Sequence, residues 1–389
     1  MRARTLAVLA AVVVALVGVA LPASAGPKQG LEISAPSGSV VDYGERVHLV
    51  GTLTPWATGQ PVQLRDHNGT ILVRTKTQRY GKFAFDYAPK RTVYVHATSG
   101  HLHSNAIPLQ TRPHVTASIS GVVLFGTATV SGRVVPWDSG APVGVAVFHD
   151  GKRVATRTAR LGSSSAFRLS VPIPQPGTWS AHVVYDTKDS LKGQADTSHV
   201  TTPLPSLGRG SSGEAVFLLE RRLAQLHYLI TNVNQTYDSV TADAVMAFRK
   251  VQGLDRVSTV DASVWRRLAS PVVPHPRSTG AGFHVEIDQT RQVIYTVQRG
   301  VITNILHAST GKPSTPTRDG SFAVHRKVNG FSIGHLYYPS YFDGNRAVHG
   351  WTDVPPYPAS HGCARIPYWA AKLMYDRMPI GTPVLVYHS

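Results

Sequence analysis

Short segments in which apolar and polar residues alternate fill the first half of the chain. Between residues 31 and 110 they are separated by Gly, Asn-Gly and Pro turns. Alternation with a period of two is typical of half-buried strands, and several short strands at this spacing predict a β-sandwich. Residues 115–200 show the same pattern again. The predicted strands of the first stretch are Arg46–Leu53, Val62–Asp66, Ile71–Thr75, Lys82–Tyr87 and Thr92–Thr98.

The two stretches are also related in sequence. Residues Thr54–Val62 have the same order of residue types as Val135–Val143, and a His-Asn-Gly turn in the first stretch corresponds to a His-Asp-Gly turn in the second. An internal repeat of this kind predicts tandem copies of one domain. We place the copies at residues 31–111 and 113–201. Both resemble bacterial immunoglobulin-like (Ig-like) domains.

A tryptophan occupies the same position in each copy, at Trp56 and Trp137. Repeated tryptophans pack under turns more often than they stack on sugar rings, so we expect packing here. The two domains are therefore interpreted as spacers that hold the rest of the chain away from the membrane.

The hydrophobic period changes after a proline-containing linker at residues 201–206. Apolar residues then recur three or four positions apart, which predicts amphipathic helices. They indicate a compact three-helix module at residues 206–270, with helices at Glu214–Tyr228, Thr241–Val251 and Asp261–Leu268.

This module resembles the peptidoglycan-binding-like domain of bacterial wall enzymes. The resemblance rests on the glycine-rich segment Leu207–Gly213, the apolar positions of the first two helices, and Val264–Leu268. It departs from the family at Asn234–Tyr237, where a glycine-rich turn is usual.

A second proline-rich linker, Pro271–Pro276, precedes a return to β patterning. We expect a mostly-β domain at residues 282–388 with one helix, Tyr368–Arg377, after the single cysteine. Pro367 stands at the start of that helix, where proline is tolerated. The whole chain is thus predicted to be multidomain and mainly β. Predicted strands of this last domain are His284–Asp288, Arg291–Val297, Val301–Ser309, Phe322–Arg326 and Pro383–Tyr387.

The N-terminus has the three parts of a secretory signal peptide. Arg2 and Arg4 precede an apolar stretch, Leu6–Leu21, and Ala23–Ala25 forms a small-x-small cleavage site. We expect residues 1–25 to direct secretion across the cytoplasmic membrane and then to be removed. An uncleaved membrane anchor is the alternative.

If the protein is exported, its high positive charge indicates which class of partner it binds. Lys and Arg number 39 against 22 Asp and Glu, for a net charge of +17. Such a protein is attracted to polyanions. Outside the cytoplasm the expected partner is the anionic cell wall, or the periplasmic side of the envelope, and no nucleic acid is expected.

Cys363 is the only cysteine in 389 residues, which excludes a disulfide within the chain. His349 and His361 flank it, and a neighbouring histidine can activate a thiol as a nucleophile. Catalytic pairs usually meet through the fold rather than along the sequence. The more distant His349 is therefore the predicted base, and His361 is expected to shape the pocket or bind substrate.

The residues next to the cysteine also suit acyl chemistry. Gly362 frees the backbone at this point, and the N–H groups of Gly362 and Cys363 are predicted to form an oxyanion hole. Arg365 adds a positive charge that can recognise a carboxylate. Zinc held by imidazoles and the thiolate is the alternative, but no HxH, HExxH or CxxC pattern accompanies this cysteine. We expect neither a metal nor a cofactor.

The sequence around Cys363 resembles the signature of the YkuD-type L,D-transpeptidases. It departs from that family in having fewer residues than usual between His349 and Ser360, and in having Arg365 where many members have asparagine. The match is carried by Ala347–Gly350 and Ser360–Arg365, and further by Ala308–Lys312, Thr315–Thr317, Gly320–Phe322, Tyr341–Phe342 and Pro379–Val384.

The resemblance implies acyl transfer on the stem peptides of peptidoglycan. Cys363 would displace the terminal D-alanine of a stem tetrapeptide, with His349 as base and the carbonyl of Gly350 orienting its ring. An amine of a neighbouring stem would resolve the thioester, giving a 3→3 cross-link. Covalent inhibition by carbapenems is also implied. The residues expected to contact substrate are Ser360, His361, Arg365 and Tyr341.

Two alternatives remain open on the sequence alone. Water could resolve the thioester, which would make the protein an L,D-carboxypeptidase or endopeptidase. The chain could also be a non-catalytic wall-binding scaffold with a relic site, although the complete set of His349, Ser360, His361 and Cys363 disfavours this.

Overall fold

The computed structural model describes residues 28–186, 191–280 and 282–389. The predicted signal peptide at residues 1–25 lies outside the described residues. The chain divides into two compact units, with the boundary between His114 and Val115. Within the described ranges, no helix has the length and apolar character needed to cross a membrane.

Two β-sheets make up the first unit, and a short 3-10 helix, Arg79–Gly81, precedes β6. Its strands are β1 (Gly30–Ser34), β2 (Val40–Asp42), β3 (Val47–Thr54), β4 (Pro61–Asp66), β5 (Ile71–Lys76), β6 (Lys82–Tyr87), β7 (Val93–Ser99), β8 (Leu102–His103) and β9 (Ile107–Arg112).

One core lies between these two sheets. Strands β1, β3 and β6 form one sheet, while β2, β9, β7, β4 and β5 form the other, with β8 beside β7. Alternate side chains of both sheets enter the core, among them Leu49, Leu64 and Phe85. This is the arrangement that the period-two pattern predicts.

A similar pair of sheets follows and again encloses one core, which includes Val130, Val145 and Val183. One sheet has the order β10-β11-β14 and the other β13-β12-β15-β16, with β17 beside β15. These strands are β10 (His114–Ser120), β11 (Thr127–Val135), β12 (Pro142–His149), β13 (Lys152–Arg160), β14 (Ala166–Pro172), β15 (Thr178–Tyr185), β16 (Gly193–Asp196) and β17 (Val200–Thr201).

The repeat extends to backbone geometry, because the Thr54–Pro55 and Val135–Pro136 peptide bonds are both cis. The two tryptophans differ, however. Trp137 packs against the second core. Trp56 is 66% exposed, with its ring edge against Tyr80. The expectation of a packed tryptophan is therefore wrong for the first copy.

Three helices form the next part of the second unit: α1 (Glu214–Gln225), α2 (Ser239–Val251) and α3 (Ala262–Ala269). Asp238 and Asp261 cap α2 and α3, since each carboxylate accepts N–H bonds from the first turn. The first helix is shorter than its pattern predicts. It ends at Gln225 because His227 takes a positive φ of 66° and directs the chain towards the strands that follow.

The remaining strands form two sheets, with orders β20-β19-β18-β26-β21 and β22-β23-β24-β25. A core between them includes Ile287, Val348 and Ile366, and the last helix lines it with Ala370 and Met374. The elements are β18 (His284–Asp288), β19 (Val293–Gln298), β20 (Val301–His307), β21 (Gly320–Ala323), β22 (Arg326–Lys327), β23 (Tyr337–Asp343), β24 (Arg346–Trp351), β25 (Ala364–Pro367), α4 (Tyr368–Arg377) and β26 (Pro383–Tyr387).

The three-helix module is joined to this region by backbone bonds. The N–H of Leu229 donates to Ile305 in β20, and the N–H of Ile305 donates back to His227, at 3.0 and 2.8 Å. Apolar residues of α2, such as Phe248, share a core with Val293 and other residues of β19 and β20. Helical module and strands therefore fold as parts of one unit.

Candidate active site

Two parallel strands bring together residues from both sides of the cysteine. In β24 and β25, Val348 pairs with Ala364 and His349 pairs with Arg365. Successive side chains of a strand point to opposite faces. Val348 and Ala364 enter the core, so His349 and Arg365 share the other face. That face, with the turn that leads into β25, forms the candidate active site.

Cys363 immediately precedes β25. Extending the strand register by one residue puts it beside Ala347, on the face that carries His349. The thiol and the imidazole are thus diagonal neighbours across the strand pair. The S–H donates to the carbonyl of Asn345 at 3.8 Å, and the side chain is partly exposed. A substrate can therefore reach the sulfur from solvent.

The imidazole of His349 is oriented by the residue that follows it. Its Nδ1 lies 2.9 Å from the carbonyl oxygen of Gly350. A carbonyl can only accept, so Nδ1 carries the proton and Nε2 of the neutral ring has the lone pair. Burial lowers the pKa of His349 to about 4, against the opposing effect of the Gly350 bond. The ring is thus a neutral proton acceptor at pH 7.

Gly350 is also needed for packing. A Cβ at this position would lie 2.6 Å from the Cβ of Ala371 and 3.1 Å from the ring of Tyr337. Glycine therefore lets α4 approach β24 closely. The carbonyl that orients His349 is held against the helix as a result.

The environment of Cys363 favours the neutral thiol before substrate binds. Burial raises its pKa above the usual value for a thiol, while a backbone bond from Ala347 and the charges of Arg365 and Arg346 act in the opposite direction. Burial is the largest of these effects. With His349 also neutral, the free site holds a thiol and an imidazole rather than a thiolate–imidazolium pair.

The turn before Cys363 is folded around the hydroxyl of Ser360. This hydroxyl is buried, donates to the carbonyl of Cys363 at 2.6 Å, and accepts from the N–H of Gly362 at 3.0 Å. Two predicted roles are corrected by these bonds. The Ser360 hydroxyl is used within the turn rather than on substrate. The N–H of Gly362 is already bonded and is not a donor for an oxyanion.

Residues from the loop after β20 hold the same turn from outside. Thr315 Oγ1 donates to the carbonyl of Ser360 at 3.1 Å, and Thr317 Oγ1 donates to that of Gly362 at 3.0 Å. Gly362 has a φ of +109°, and a Cβ there would lie 2.8 Å from Nε of Arg346. Only glycine fits this conformation and this contact.

Comparison with known proteins identifies the family of the chain. Residues 282–386 match the family model of the YkuD L,D-transpeptidase catalytic domain, and residues 212–268 match that of a peptidoglycan binding domain. The chain is 37% identical to an L,D-transpeptidase from Xylanimonas cellulosilytica DSM 15894, over 48% of this chain and 99% of the other, with a TM-score of 0.45. The chain belongs to the L,D-transpeptidase family.

More distant solved structures carry the same family name. An L,D-transpeptidase from Mycobacterium smegmatis is 14% identical over 70% of this chain and 99% of its own, with a TM-score of 0.25. The catalytic domain of the Enterococcus faecium L,D-transpeptidase acylated by ertapenem is 25% identical over 28% of this chain and 100% of its own, also with a TM-score of 0.25. No curated protein matches the chain.

The other predicted site residues of this L,D-transpeptidase differ in their surroundings. Tyr341 pairs with Ala347 and so lies in the same row as Cys363 across the sheet, with the guanidinium of Arg326 3.9 Å from its ring centre. Arg365 lies over the ring of Trp351 at 5.0 Å.

His361 is exposed at the rim of the site, on the turn rather than on a strand. Its side chain makes no hydrogen bond or ion pair within the described ranges. The two histidines that flank the cysteine in sequence are therefore not equivalent in the fold.

Sequence reasoning missed an acidic residue beside the transpeptidase site. Asp343 accepts bonds from Arg318 and Arg346, and the bonds from Arg318 are the largest cause of its lowered pKa. Arg346 in turn packs against Gly362. In the sequence, the three-residue spacing of Asp343 and Arg346 was the signal that could have indicated this ion pair. Asp343 thus fixes one of the cations that act on Cys363.

Metal-binding groups of three or more His, Cys, Asp or Glu side chains are absent from the described parts of the chain.

Proposed function

We propose that Cys363 is the nucleophile of this acyltransferase and His349 its general base. The observation that carries the proposal is the bond from His349 Nδ1–H to the Gly350 carbonyl. It selects the tautomer whose Nε2 can take the thiol proton. Because both groups are neutral beforehand, the proton moves to His349 as the sulfur attacks.

The proposed donor is a stem tetrapeptide of peptidoglycan. The sulfur of Cys363 attacks the carbonyl that joins the L-centre of the diamino acid to the terminal D-alanine, and His349 takes the thiol proton. Collapse of the tetrahedral intermediate breaks the C–N bond, and His349 returns the proton to the departing D-alanine amine. A thioester on Cys363 remains.

The proposed acceptor is an amine of a neighbouring stem. It attacks the thioester carbonyl and passes a proton to His349, and the sulfur leaves as the C–S bond breaks. His349 then protonates the sulfur, which restores the starting site. The product is a 3→3 cross-link between two stems.

We propose that the N–H of Cys363 stabilises the tetrahedral intermediate by donating a hydrogen bond to its negatively charged oxygen. Unlike the N–H of Gly362, this donor has no acceptor in the described ranges. Arg365 has no carboxylate partner among the described residues either, and its charge lies on the same face as the thiol. We propose that Arg365 binds the carboxylate of the terminal D-alanine.

We further propose that the enzyme is secreted and works at the anionic cell wall. The N-terminal signal pattern and the net charge of +17 support this location. The two pairs of sheets that precede the helices are proposed to be Ig-like sandwiches acting as spacers, on the strength of their repeat and their two-sheet cores.

The test uses the purified full chain and disaccharide tetrapeptide muropeptides, with products resolved by mass spectrometry. We expect dimers that have lost one D-alanine, and none with Cys363→Ala. Tripeptide monomers alone would mean that water is the acceptor and would contradict the transferase assignment. Unchanged muropeptides with the native chain would contradict catalysis on this substrate.

Acylation by ertapenem provides an independent check on the nucleophile. The native chain should gain the mass of one ertapenem, and Cys363→Ala should gain none. An adduct that persists in Cys363→Ala would show that another residue reacts.

A further inference from the structure

The segment between β24 and the Ser360 turn cannot be held as an ordinary strand. It spans residues 352–359, and proline, which has no N–H to donate, occupies several of its positions. Its backbone is fixed instead through carbonyl oxygens that accept bonds from other parts of the fold. The prolines are Pro355, Pro356 and Pro358.

Three carbonyls of this segment each have a donor of their own. One donor is a buried histidine imidazole, one is a partly buried arginine guanidinium, and the third is a serine hydroxyl. The bonds are His307 Nε2 to Val354 at 2.7 Å, Arg256 Nη1 to Pro356 at 2.9 Å, and Ser309 Oγ to Tyr357 at 2.7 Å.

Arg256 belongs to the three-helix module rather than to the strands around the site. It follows α2, and its second terminal nitrogen donates to the carbonyl of Thr290 at 2.8 Å. Thr290 lies in the turn between β18 and β19. One guanidinium therefore ties the module to the segment before the nucleophile and to a fixed turn of the neighbouring sheet.

Lys250, within α2, acts on the same segment through His307. Its buried Nζ donates to His307 Nδ1 at 2.7 Å and to the carbonyls of Gln292 and Ala308, both at 2.9 Å. These bonds use all three donors of the ammonium group. With Nδ1 of His307 accepting from Lys250, Nε2 carries the proton and donates to Val354.

A second set of bonds runs from the Lys250 contact to Ser360. The side chain of Gln292 donates to Thr310 Oγ1 at 2.6 Å and accepts from the Thr310 N–H at 2.8 Å. The carbonyl of Thr310 accepts from the N–H groups of Ala359 and Ser360, at 2.9 and 3.0 Å. Ser360 is the residue whose hydroxyl shapes the turn at the thiol.

We propose that the three-helix module is a positioning element of the active site, in which Arg256 and Lys250 hold residues 352–359 and thereby the turn that carries Cys363. Its effect on acyl transfer rests on the function proposed above; its effect on the segment does not. The module thus has a task inside the enzyme, whatever it binds outside.

The test compares Arg256→Met, which keeps much of the aliphatic stem, with Arg256→Lys, which retains a cationic donor, and with Arg266→Met on the exposed face of α3 as a matched control. Hydrogen exchange of peptides covering residues 352–359 should become faster in Arg256→Met and should stay native in Arg266→Met. Ertapenem acylation should slow about tenfold. Arg256→Lys should recover part of both effects, and the melting temperature should stay within a few degrees of native.

A second measurement does not depend on the proposed enzyme activity. The pH profile of Cys363 alkylation by iodoacetamide should move towards lower pH in Arg256→Met, because a looser turn exposes the thiol to water. Native exchange and a native alkylation profile in Arg256→Met would overturn the proposal, as would equal changes in Arg266→Met. If the native chain failed to react with muropeptides or ertapenem, changed exchange and alkylation in Arg256→Met would still support the positioning role.

Discussion

Two parts of this active site are held in place by different means. His349 and Arg365 lie on strands, where β23 and β25 flank β24 and a backbone ladder sets each position. The turn Ser360–Cys363 lies outside the strands, and three hydroxyl side chains bond to its backbone groups. The proposed base is on the strand-held part, and the proposed nucleophile ends the turn-held part.

The difference predicts where each part is sensitive. In a ladder of backbone hydrogen bonds, many bonds together hold each strand in place. A side chain on such a strand can therefore be changed without moving its neighbours. In the turn the Ser360 hydroxyl serves two backbone groups at once. Substitutions on the strands should therefore alter chemistry alone, whereas substitutions in the turn should also displace the reacting sulfur.

The largest effect is expected from the strand-held imidazole. His349→Gln removes the proton acceptor and should slow ertapenem acylation by about 10²- to 10⁴-fold, the usual contribution of a general base. His361→Gln, on the turn and exposed, should change the rate by only about two- to threefold. Adduct formation followed by mass spectrometry measures both. Equal losses would contradict the assignment of the base to the strand.

A smaller but clear effect is expected when the hydroxyl oxygen of Ser360 is removed from the turn. Ser360→Ala leaves the reacting groups intact but removes both bonds of the hydroxyl, so acylation should fall by roughly 10- to 100-fold through misplacement of the thiol. Thermal unfolding should show a loss of about 1–3 kcal/mol for the unpaired backbone groups.

Ser314→Ala, at an exposed position in the loop that carries Thr315, is the matched control for this change. It should retain native acylation and native stability. A native acylation rate in Ser360→Ala would mean that the turn is fixed without its hydroxyl, and the contrast with the strands would be lost.

The strand-held part should also respond to acid through its buried neutral ring. An unfolded histidine binds a proton below about pH 6.5, whereas His349 stays neutral in the fold down to about pH 4. The unfolded state binds more protons in this window, so stability falls as the pH is lowered from about 6.5 to about 4. The loss attributable to His349 is on the order of 3 kcal/mol.

Melting temperatures across this pH range test the expectation. His349→Gln should show a weaker decline than the native chain, because the titrating ring is gone. His361→Gln should decline as the native chain does. His307, whose pKa burial and Lys250 lower to about 3, contributes in the same direction and remains in all three proteins.

The smallest effect is expected for the cation beside the thiol. Arg365→Gln removes a charge that lowers the pKa of Cys363, so alkylation by iodoacetamide should shift modestly towards higher pH. Arg377→Gln, exposed on α4, is the control and should leave the profile unchanged. A shift towards lower pH would mean that Arg365 acts on the thiol mainly by shielding it from water.

Much of the secondary structure followed from local pattern. The strands at Lys82–Tyr87, His284–Asp288 and Pro383–Tyr387 and the helix Tyr368–Arg377 have the bounds that the sequence predicts. The end of α1 does not, because Tyr228 is drawn into a bridge with Ile305, which lies far along the chain. Local periodicity carries no information about a partner so far away in the sequence.

The site shows the same limit. The sequence favoured His349 over His361 as the base, but it did not predict the parallel register of β24 and β25 that puts His349 on the thiol's face. The role of Ser360 was misjudged because its targets are backbone groups that come within reach only when the turn forms. The contacts of Lys250 and Arg256 join regions that the sequence presents as separate domains, so no local pattern could reveal them.

The parallel pairing of β24 and β25 has a consequence for how the chain can vary. Parallel neighbours need a crossover of about a dozen residues or more, and the connection from Trp351 to Ala364 is near that minimum. Insertions there have room at the surface. A deletion, however, would make the connection too short, and residues of β25 would have to leave their register to complete it. Since a slip of one residue turns every side chain of a strand to its other face, a single lost codon in this connection could point Cys363 into the core.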